Sequence, residues 1–564
     1  MDNQRLILFL ALSFILFLAW EAWQEDYAAK PPVATNAGGV EMTAPVTPAM
    51  EKASDVPGAP QTQMDSSVKA DTPAAPAGGL EASAISQRIH VVTDTLDVII
   101  DTRGGDIRQA DLLNYPTASD LPDEPFRLMR ESLPNLFVAQ SGLLSNGNAP
   151  DHYAIFTAEQ TSYELQAGQN ELRIPLTWQD DTGIKVTKTI IFRRGQHVID
   201  VEQKIENGSA AEWQGRQYRQ LQRSRPDGSG ESAFIYTYTG GVVYSEEEHY
   251  EKIDFDDMEE ANLSRDINGG WAAIIQHYFL GAIIPPKDET NHFYTKSVGD
   301  DRFVLGLVSP SKTVNAGQID TFTSRLYVGP KEQAVLEKLG DNLDLTVDYG
   351  MLSVIAKPMF WLLDWFNNMF GNWGWAILMV TLIIKAIFYP LSAASYRSMA
   401  NMRKFAPKMQ QLKERYGDDR QKMSQAMMEL YKKEKINPLG GCLPMMVQIP
   451  VFIALYWVLL ESVELRQAPF IFWITDLSIK DPYYVLPLLM GVSMYIQQKL
   501  NPAPPDPVQA KVMMALPVIF TLFFAFFPAG LVLYWFANSA LSVAQQWYIT
   551  AKIEKAAALA TPNK

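Results

Sequence analysis

The sequence predicts a multidomain protein, with an α-helical polytopic membrane domain and a large β-sandwich domain. Five apolar runs lie between residues 373 and 549 of this 564-residue chain. Each run has about 16 to 20 residues, close to the length that a helix needs to cross the hydrocarbon core. Residues 85–345 instead contain many short runs rich in β-branched side chains. Charge divides the chain in the same way: residues 351–564 carry 20 Lys and Arg against 12 Asp and Glu, whereas residues 24–350 carry 27 against 49.

A further apolar run lies near the N-terminus, at residues 6–20, and acidic residues follow it. Such a run is either a cleaved signal peptide or an uncleaved anchor. A cleavage site would need small residues where this chain has Trp20, Glu21 and Trp23. We therefore expect residues 1–27 to be an uncleaved signal-anchor span. Residues 28–84 are rich in Ala, Pro, Thr and Gly, which predicts a disordered linker.

Residues 85–345 are predicted to form a β-rich domain. Runs such as 184–192 and 198–205 are enriched in β-branched residues and partly alternate, and clusters of Gly, Asn and Asp separate them. Many short strands in succession favour a large sandwich, which a helix closes near residues 332–339. Residues 352–370 place apolar side chains about four positions apart, which predicts an amphipathic helix lying in the membrane interface. A last helix of the β-rich domain is the alternative interpretation.

Six membrane spans are predicted, at residues 6–23, 373–391, 443–460, 483–499, 512–527 and 531–549. Loop charge sets their orientation, because cytoplasmic loops carry an excess of Lys and Arg. Residues 392–442 hold eleven Lys and Arg against five acidic residues, so we expect this segment in the cytoplasm. By parity, both termini and the tail 551–564 are then cytoplasmic, and residues 28–350 lie on the outer side of the membrane.

The basic segment 392–436 predicts two helices joined at Gly417, Asp418 and Asp419, with the two aspartates at the tip. Methionine-rich apolar stripes follow both helices. They suit an antiparallel hairpin that packs only against itself, and they equally suit promiscuous binding of hydrophobic partners. The sequence leaves both interpretations open.

One apolar run, 373–391, contains a single charge, Lys385. A cation at that depth costs on the order of 3 kcal/mol unless something solvates it. Thr381 lies one helical turn earlier on the same face, and Gln448 lies in the next run. The last run contains Asn538, Ser539, Gln545 and Gln546. Lys385 either extends to the lipid headgroups, or lines a hydrated cavity that opens to the cytoplasm and receives an acidic or polar peptide segment.

The residues argue against catalysis in the apolar runs. All six histidines lie between His90 and His292, which removes zinc-protease and Ser–His chemistry from the spans. No Asp lies inside a predicted span, and the single cysteine, Cys442, excludes an intramolecular disulfide or a cysteine metal site. We therefore predict no enzymatic activity, no cofactor and no metal. The acidic middle of the chain argues against specific nucleic-acid binding.

Several motifs resemble the YidC/Oxa/Alb family of membrane protein insertases, in the form found in Gram-negative bacteria. The most specific is NPLGGCLP at residues 437–444, which leads into QIPVF at 448–452. GNWGW at 371–375 opens the second predicted span, and GLVLYW at 530–535 opens the last. The likeness is dense over residues 352–549, and the anchor, linker and outer domain match in layout.

The resemblance implies a five-helix core within residues 371–550, around a hydrophilic groove open to cytoplasm and lipid. A client's polar segment would enter the groove while its apolar span slides into lipid, so the protein acts as an insertase and chaperone without hydrolytic chemistry. The implied groove and client-contact residues are Thr381, Lys385, Gln448, Tyr534 and Trp535. The family usually has Arg at the position of Lys385, and Lys loses the bidentate pairing that Arg offers. The outer domain is expected to resemble a supersandwich.

The resemblance also implies a location in the bacterial inner membrane, with residues 28–350 in the periplasm. Nascent membrane proteins and the phospholipid bilayer are the implied partners. It further implies the Sec translocon, the ribosome and the signal recognition particle pathway, although the short, mildly basic tail weakens the case for tethering a ribosome. Two other classes are weighed against the insertase. A solute transporter or channel usually shows inverted repeats, which are not evident here. A carbohydrate enzyme in the β-rich domain would need paired carboxylates in a cleft.

Overall fold

The computed structural model describes residues 55–57, 86–226, 237–299, 301–416, 419–433, 443–501 and 507–560. The chain divides into two compact units. Among the described residues, the first combines those of Ala53–Trp361 with Ala454–Ile479, and the second combines those of Leu362–Ile453 with those of Lys480–Lys564. The predicted signal-anchor at 1–27 lies outside the described residues.

Two β-sheets build the first unit. The strands are β1 Arg88–Val92, β2 Leu96–Asp101, β3 Asp106–Ala118, β4 Leu121–Met129, β5 Phe137–Ser145, β6 Thr157–Ala158, β7 Ser162–Glu164, β8 Glu171–Gln179, β9 Ile184–Arg193, β10 Val198–Asn207, β11 Trp213–Ser224, β12 Thr239–Ser245, β13 His249–Ile253, β14 Ser264–Asn268, β15 Trp271–Gln276, β16 Phe279–Ile284, β17 Thr290–Ser297, β18 Arg302–Val308, β19 Lys312–Val314 and β20 Ile319–Pro330. Within the described residues, one sheet has 11 strands in the order β14-β17-β18-β11-β5-β3-β2-β1-β7, with β4 paired to β3 and β19 to β11. The other has nine, ordered β13-β12-β15-β16-β20-β10-β9-β8-β6.

The core lies between the two sheets, because side chains alternate along the strands. In β9 and β10 nearly every second residue is buried, and the antiparallel register places Val201 opposite Ile190 and Ile205 opposite Val186. Residues from both sheets, such as Leu221 and Ile199, belong to one buried cluster. Period-two burial is what a sheet with one face on a core requires. The predicted β-sandwich is therefore confirmed.

Short helices complete the first unit. Helix α1, Phe255–Glu260, begins with a capping box in which Asp254 and Asp257 bond each other's backbone N–H. Helix α2, Gln333–Leu339, and the 3₁₀ turn Leu343–Thr346 cover the outer face of the nine-stranded sheet, where Leu336 packs with residues such as Trp271. The helix predicted near residues 332–339 is α2.

The linker prediction is wrong at residues 55–57. The Asp55 carboxylate accepts a hydrogen bond from the Tyr153 hydroxyl and lies 3.3 Å from Nε2 of His152, and Pro57 is buried. The contacts of Asp55 with Tyr153 and His152, together with the buried ring of Pro57, order these three residues despite their disorder-prone composition. Local composition does not predict such contacts, because the partners lie far away in the sequence. The rest of the predicted linker lies outside the described residues.

The segment 454–479 is held against the β-sandwich within the first unit by polar contacts, of which the Lys331–Glu461 pair is buried. Lys331 Nζ donates to the Glu461 carboxylate at 2.9 Å, and the two side chains are 2% and 7% exposed. His277 Nε2 lies 3.0 Å from the carbonyl oxygen of Leu460, to which it donates. The Arg466 guanidinium donates to the carbonyl oxygens of Pro116 and Thr117 at 2.7 and 3.0 Å.

Long helices follow the sheets in sequence. They are α3 Ser353–Phe370, α4 Trp373–Ile387, α5 Tyr389–Tyr416, α6 Arg420–Lys433, α7 Leu443–Glu461, α8 Val485–Leu500, α9 Pro507–Phe524 and α10 Ala529–Ala560. Within the second unit, α10 packs against α4, α5 and α8, and α8 packs against α9. The α8–α9 contact is close, because a Cβ added to Gly491 would lie 2.0 Å from Oγ1 of Thr521. The predicted helical region is confirmed in this coarse form.

The predicted span 373–391 is not one helix. Helix α4 ends at Ile387, Phe388 caps it, and α5 begins at Tyr389 after a bend of 65°. Pro390 explains the break, since proline has no N–H to donate and restricts the residue before it. Among the described residues, only this bent pair, α4 with 389–400, has the length and apolarity of a membrane span; 446–461 and 510–524 are shorter apolar helices. The last helix also extends beyond the predicted span end at 549, to Ala560.

We predict that Lys331→Ala or Glu461→Ala alone lowers the free energy of unfolding by about 3 kcal/mol or more, because each leaves an uncompensated buried charge. The double substitution Lys331→Met with Glu461→Leu should recover most of that loss. Thermal unfolding of the purified full chain in detergent measures both. Equal losses in the single and double variants would contradict a paired role.

Stability should also fall between about pH 6.5 and pH 4 through His277. Burial lowers the pKa of His277 to about 4, although the charge of Glu461 acts in the opposite direction; the charge of Lys331 lowers this pKa further. The unfolded chain therefore binds the extra proton first, so stability is present at neutral pH and is lost as the pH falls. His277→Gln removes this titration, and its melting temperature should depend less on pH over that window. An unchanged pH dependence would contradict this assignment.

Candidate functional site

Lys385 and Thr381 lie one turn apart on α4 and are both buried. The exposed fraction of Lys385 is 9% and that of Thr381 is 0%. Lys385 Nζ donates to Oγ of Ser542 on α10 at 2.7 Å, and Ser542 Oγ lies 2.7 Å from the carbonyl oxygen of Asn538. Thr381 Oγ1 donates to the carbonyl oxygen of Ile377 at 2.6 Å. The cation is therefore held between two helices of the second unit.

Sequence reasoning missed Ser542, although a signal was present. Trp535, Asn538, Ser542 and Gln545 recur at intervals of three and four residues, which places them on one face of α10. Over the seven residues from Trp535 to Ser542 a helix rises about 10 Å. This face of α10 thus carries a polar stripe that begins at the tryptophan and passes the lysine contact.

The aromatic end of the stripe contacts α7 and α9. The Trp535 ring lies 4.7 Å from that of Phe452 and 5.5 Å from that of Phe524, measured between centroids. Tyr534 stacks on Phe452 at 6.2 Å. Gln448 is half-buried and lies one turn before Phe452 on the same face of α7. The structure thus joins Tyr534 and Trp535 through Phe452, whereas among the described residues no hydrogen bond links Gln448 to Lys385 or Thr381.

Several buried polar atoms of this site have no partner in the described part of the chain. They are Nε1 of Trp535 and both amide atoms of Gln545. An ammonium group has three donors, and Ser542 accepts one from Lys385. No carboxylate among the described residues lies within 4.0 Å of the Lys385 ammonium. Most buried polar groups in proteins are bonded, so a cluster that lacks partners indicates a place for water or a ligand.

The hairpin tip is described at Asp419 only, since Asp418 lies outside the described residues. Asp419 precedes α6, and its Oδ1 accepts from the backbone N–H of Lys422 at 3.1 Å, as an N-cap does. This backbone bond, and next the Lys422 side chain, hold the pKa of Asp419 below its usual value. The role of Asp419 visible in the structure is to start α6.

No group of three or more His, Cys, Asp or Glu side chains in the described ranges is arranged to hold a metal ion. The site offers a cation, hydroxyls, amides and aromatic rings, which are groups that bind and orient a polar chain. Apolar helices that enclose a cation and unsatisfied polar atoms are typical of helical membrane proteins that handle polar groups within the bilayer.

Comparison with known proteins gives the family. Residues 88–362 match the family model described as the YidC periplasmic domain. Residues 365–556 match a second family model, described as the 60Kd inner membrane protein. A "Membrane protein insertase YidC" of Thioalkalivibrio sulfidiphilus is 55% identical over 99% of both chains. Another of Methylococcus capsulatus is 55% identical over 98% of this chain and 99% of its own. An active YidC insertase crystal structure is 18% identical, with a TM-score of 0.38 over 82% of this chain and 95% of its own.

The chain belongs to the YidC branch of the YidC/Oxa/Alb family of membrane protein insertases. YidC proteins are inner-membrane proteins of bacteria, and they are insertases rather than enzymes. The resemblance seen in the sequence motifs is thereby confirmed. The roles of the individual site residues stay predictions.

We predict that Trp535→Phe changes the free energy of unfolding by less than about 1 kcal/mol, because it keeps the ring contacts and removes an N–H without a partner. Trp535→Ala should cost about 3 kcal/mol or more, because it leaves a cavity between Phe452 and Phe524. Thermal unfolding in detergent compares the two. A Trp535→Phe variant as unstable as Trp535→Ala would show that the indole N–H holds a bond in the native state.

Proposed function

We propose that this chain inserts client transmembrane segments into the bilayer through a hydrated groove lined by Thr381, Lys385, Trp535, Ser542 and Gln545. The single observation that carries the proposal is the Lys385 ammonium, which is buried among apolar helices and bonded to one hydroxyl in the described residues. A client's polar segment would sit in this groove while its apolar span passes into lipid.

The polar atoms of the groove that have no partner would lower the free-energy barrier for moving such a segment into the membrane. A polar peptide that leaves water for hydrocarbon loses its hydrogen bonds, at a cost of several kcal/mol for each group. The Gln545 amide and the indole N–H of Trp535 have donors or acceptors to offer, and water in the groove would bridge the remaining gaps. The groove thus replaces bulk water for the client without any covalent chemistry.

The charge of Lys385 favours acidic clients. A carboxylate close to a desolvated ammonium gains a few kcal/mol at the permittivity typical of partly buried sites. Lys is a flexible point charge, whereas Arg imposes a planar, bidentate geometry. This chain therefore attracts negative client residues without requiring one fixed pairing. Burial of the client's apolar span in lipid supplies the driving force, and the membrane potential acts on the acidic residues.

Topology and partners follow the same proposal. The basic hairpin, α5 with α6, suits the cytoplasmic side by the positive-inside rule, and six spans then place both termini inside. The β-sandwich would lie in the periplasm. We propose that the chain serves nascent membrane proteins alone or with the Sec translocon, and that it meets ribosomes through the signal recognition particle pathway.

The groove role of Lys385 is tested with two single-span clients that differ only by Asp or Asn in the translocated segment. Lys385→Glu should reduce insertion of the Asp client about tenfold relative to the Asn client, because attraction becomes repulsion. Lys385→Arg should keep both near the native level. Insertion is measured by protease protection in cells depleted of the native protein.

Lys338→Glu, which makes the same charge change on α2, is the matched control and should insert both clients normally. If Lys385→Glu impairs insertion of both clients equally, Lys385 does not contact the acidic client residue. The alternative, in which the Lys385 side chain extends to the lipid headgroups, would then be supported. Loss of solute uptake with normal client insertion would instead support a transporter.

A further inference from the structure

A large cavity lies within the first unit, and none of the proposed groove residues lines it. Its volume is about 440 Å³, which falls in the usual range of small-molecule sites. Residues of β4, β11 and β16 line it, together with residues of the segment 454–479. Nothing in the proposed insertion mechanism uses this cavity.

The charge of the cavity is opposite to that of its surroundings. Its lining contains Arg127, Arg130, Arg223 and Arg466, and among the described lining residues there is no Asp or Glu. Residues 24–350 as a whole carry 49 acidic against 27 basic residues. Four arginines therefore line one cavity, and three of them belong to a part of the chain that is acidic as a whole.

Arg223 is the lining residue whose charge is least compensated. Its exposed fraction is 6%, and Nε and Nη1 are buried with no hydrogen-bond partner among the described residues. The guanidinium lies 4.9 Å from the ring of Phe137, its neighbour in the β11–β5 register. Burial, and next the charge of Arg130, lower the pKa of Arg223 to about 9, so it stays protonated at neutral pH. A buried cation beside a like charge is energetically costly, and a bound anion would remove that cost.

The other arginines have structural partners. Arg127 donates from Nε and Nη2 to the Asp111 carboxylate at 2.8 and 2.9 Å, and Arg466 donates to two backbone carbonyls. Arg130 donates from Nη2 to the carbonyl oxygen of Arg127 at 3.2 Å, and its side chain is half-buried. Arg223 and Arg130 are thus the pair that a bound anion would neutralise.

An aromatic wall adjoins these charges. The rings of Phe126 and Phe279 stack with centroids 4.3 Å apart, and the Arg466 guanidinium lies 5.7 and 5.4 Å from them. Phe279 is only 2% exposed, so the half-buried ring of Phe126 is the surface that this pair presents to a ligand. An anion alone would not use that surface, whereas a ligand with a small organic body would pack on it. The cavity is large enough for both parts.

We propose that this cavity binds a phosphate group carried on a small organic body, with the phosphate at Arg223 and Arg130 and the body against Phe126. Phosphate fits better than a single carboxylate, because its oxygens accept from two guanidinium groups at once and its charge offsets both. The same chemistry is offered by a phospholipid headgroup and by a free small phosphate ester.

The proposal is tested on the full chain in nanodiscs of neutral lipid. Glycerol 3-phosphate is titrated by calorimetry, and in a second arm the melting temperature is compared between neutral discs and discs that contain phosphatidylglycerol. Arg223→Gln and Arg130→Gln should each weaken the response at least tenfold. Arg173→Gln removes the same charge from an exposed strand position paired with Glu171 and Glu202, and should bind like the native chain.

Binding of glycerol 3-phosphate that both variants weaken assigns a free phosphate ester. A melting shift seen only with phosphatidylglycerol, and lost in both variants, assigns a lipid headgroup. The proposal is overturned if neither arm gives a response, or if neither variant reduces the response. It is also overturned if an Asp- and Glu-rich peptide binds in preference to glycerol 3-phosphate. If Arg223→Gln does not fold, the binding measured with Arg130→Gln decides between these outcomes. Arg130→Gln should fold, because the half-buried Arg130 side chain makes one backbone hydrogen bond among the described residues.

Discussion

A charge surrounded by apolar side chains must find its compensation inside the protein, and this constraint shapes the helical unit. Lys385 meets it through Ser542, so α4 and α10 must face each other with those two residues in register. Thr381, one turn away, is then buried on the same side. The polar stripe of α10 follows from the same orientation. One hydroxyl does not saturate an ammonium group, and the remaining donors make the interface suited to transient polar guests.

The β-sandwich obeys the same constraint in different ways. Lys331 is paired with Glu461, and Lys188, although 1% exposed, donates to the carbonyl oxygens of Gly104 and Ser141. Both cations are satisfied and stabilise a unique arrangement. Arg223 has no such partner for Nε and Nη1 among the described residues. A satisfied buried cation serves the fold, whereas an unsatisfied one beside a cavity points to a ligand.

Much of the fold could be predicted because it depends on local patterns. Alternation in the runs 184–192 and 198–205 predicted strands that the structure contains. The spacing of apolar residues predicted α3 within about two residues, and the helix expected near residues 332–339 is α2. The prediction was wrong at Phe388, where apolar composition continues but Pro390 ends the helix. It was also wrong at residues 55–57, whose partners lie about a hundred residues away in the sequence.

The sequence by itself determined the class of protein, since apolar run length, loop charge and the NPLGGCLP motif are properties of consecutive residues. It also singled out Lys385 as a charge in need of compensation. Only the tertiary structure decided that Ser542 is the partner and that four arginines line one cavity. Lys385 and Ser542 are 157 positions apart. The four arginines come from two strand regions of the β-sandwich and from the segment 454–479. Packing sets such pairings, and no local sequence pattern predicts them.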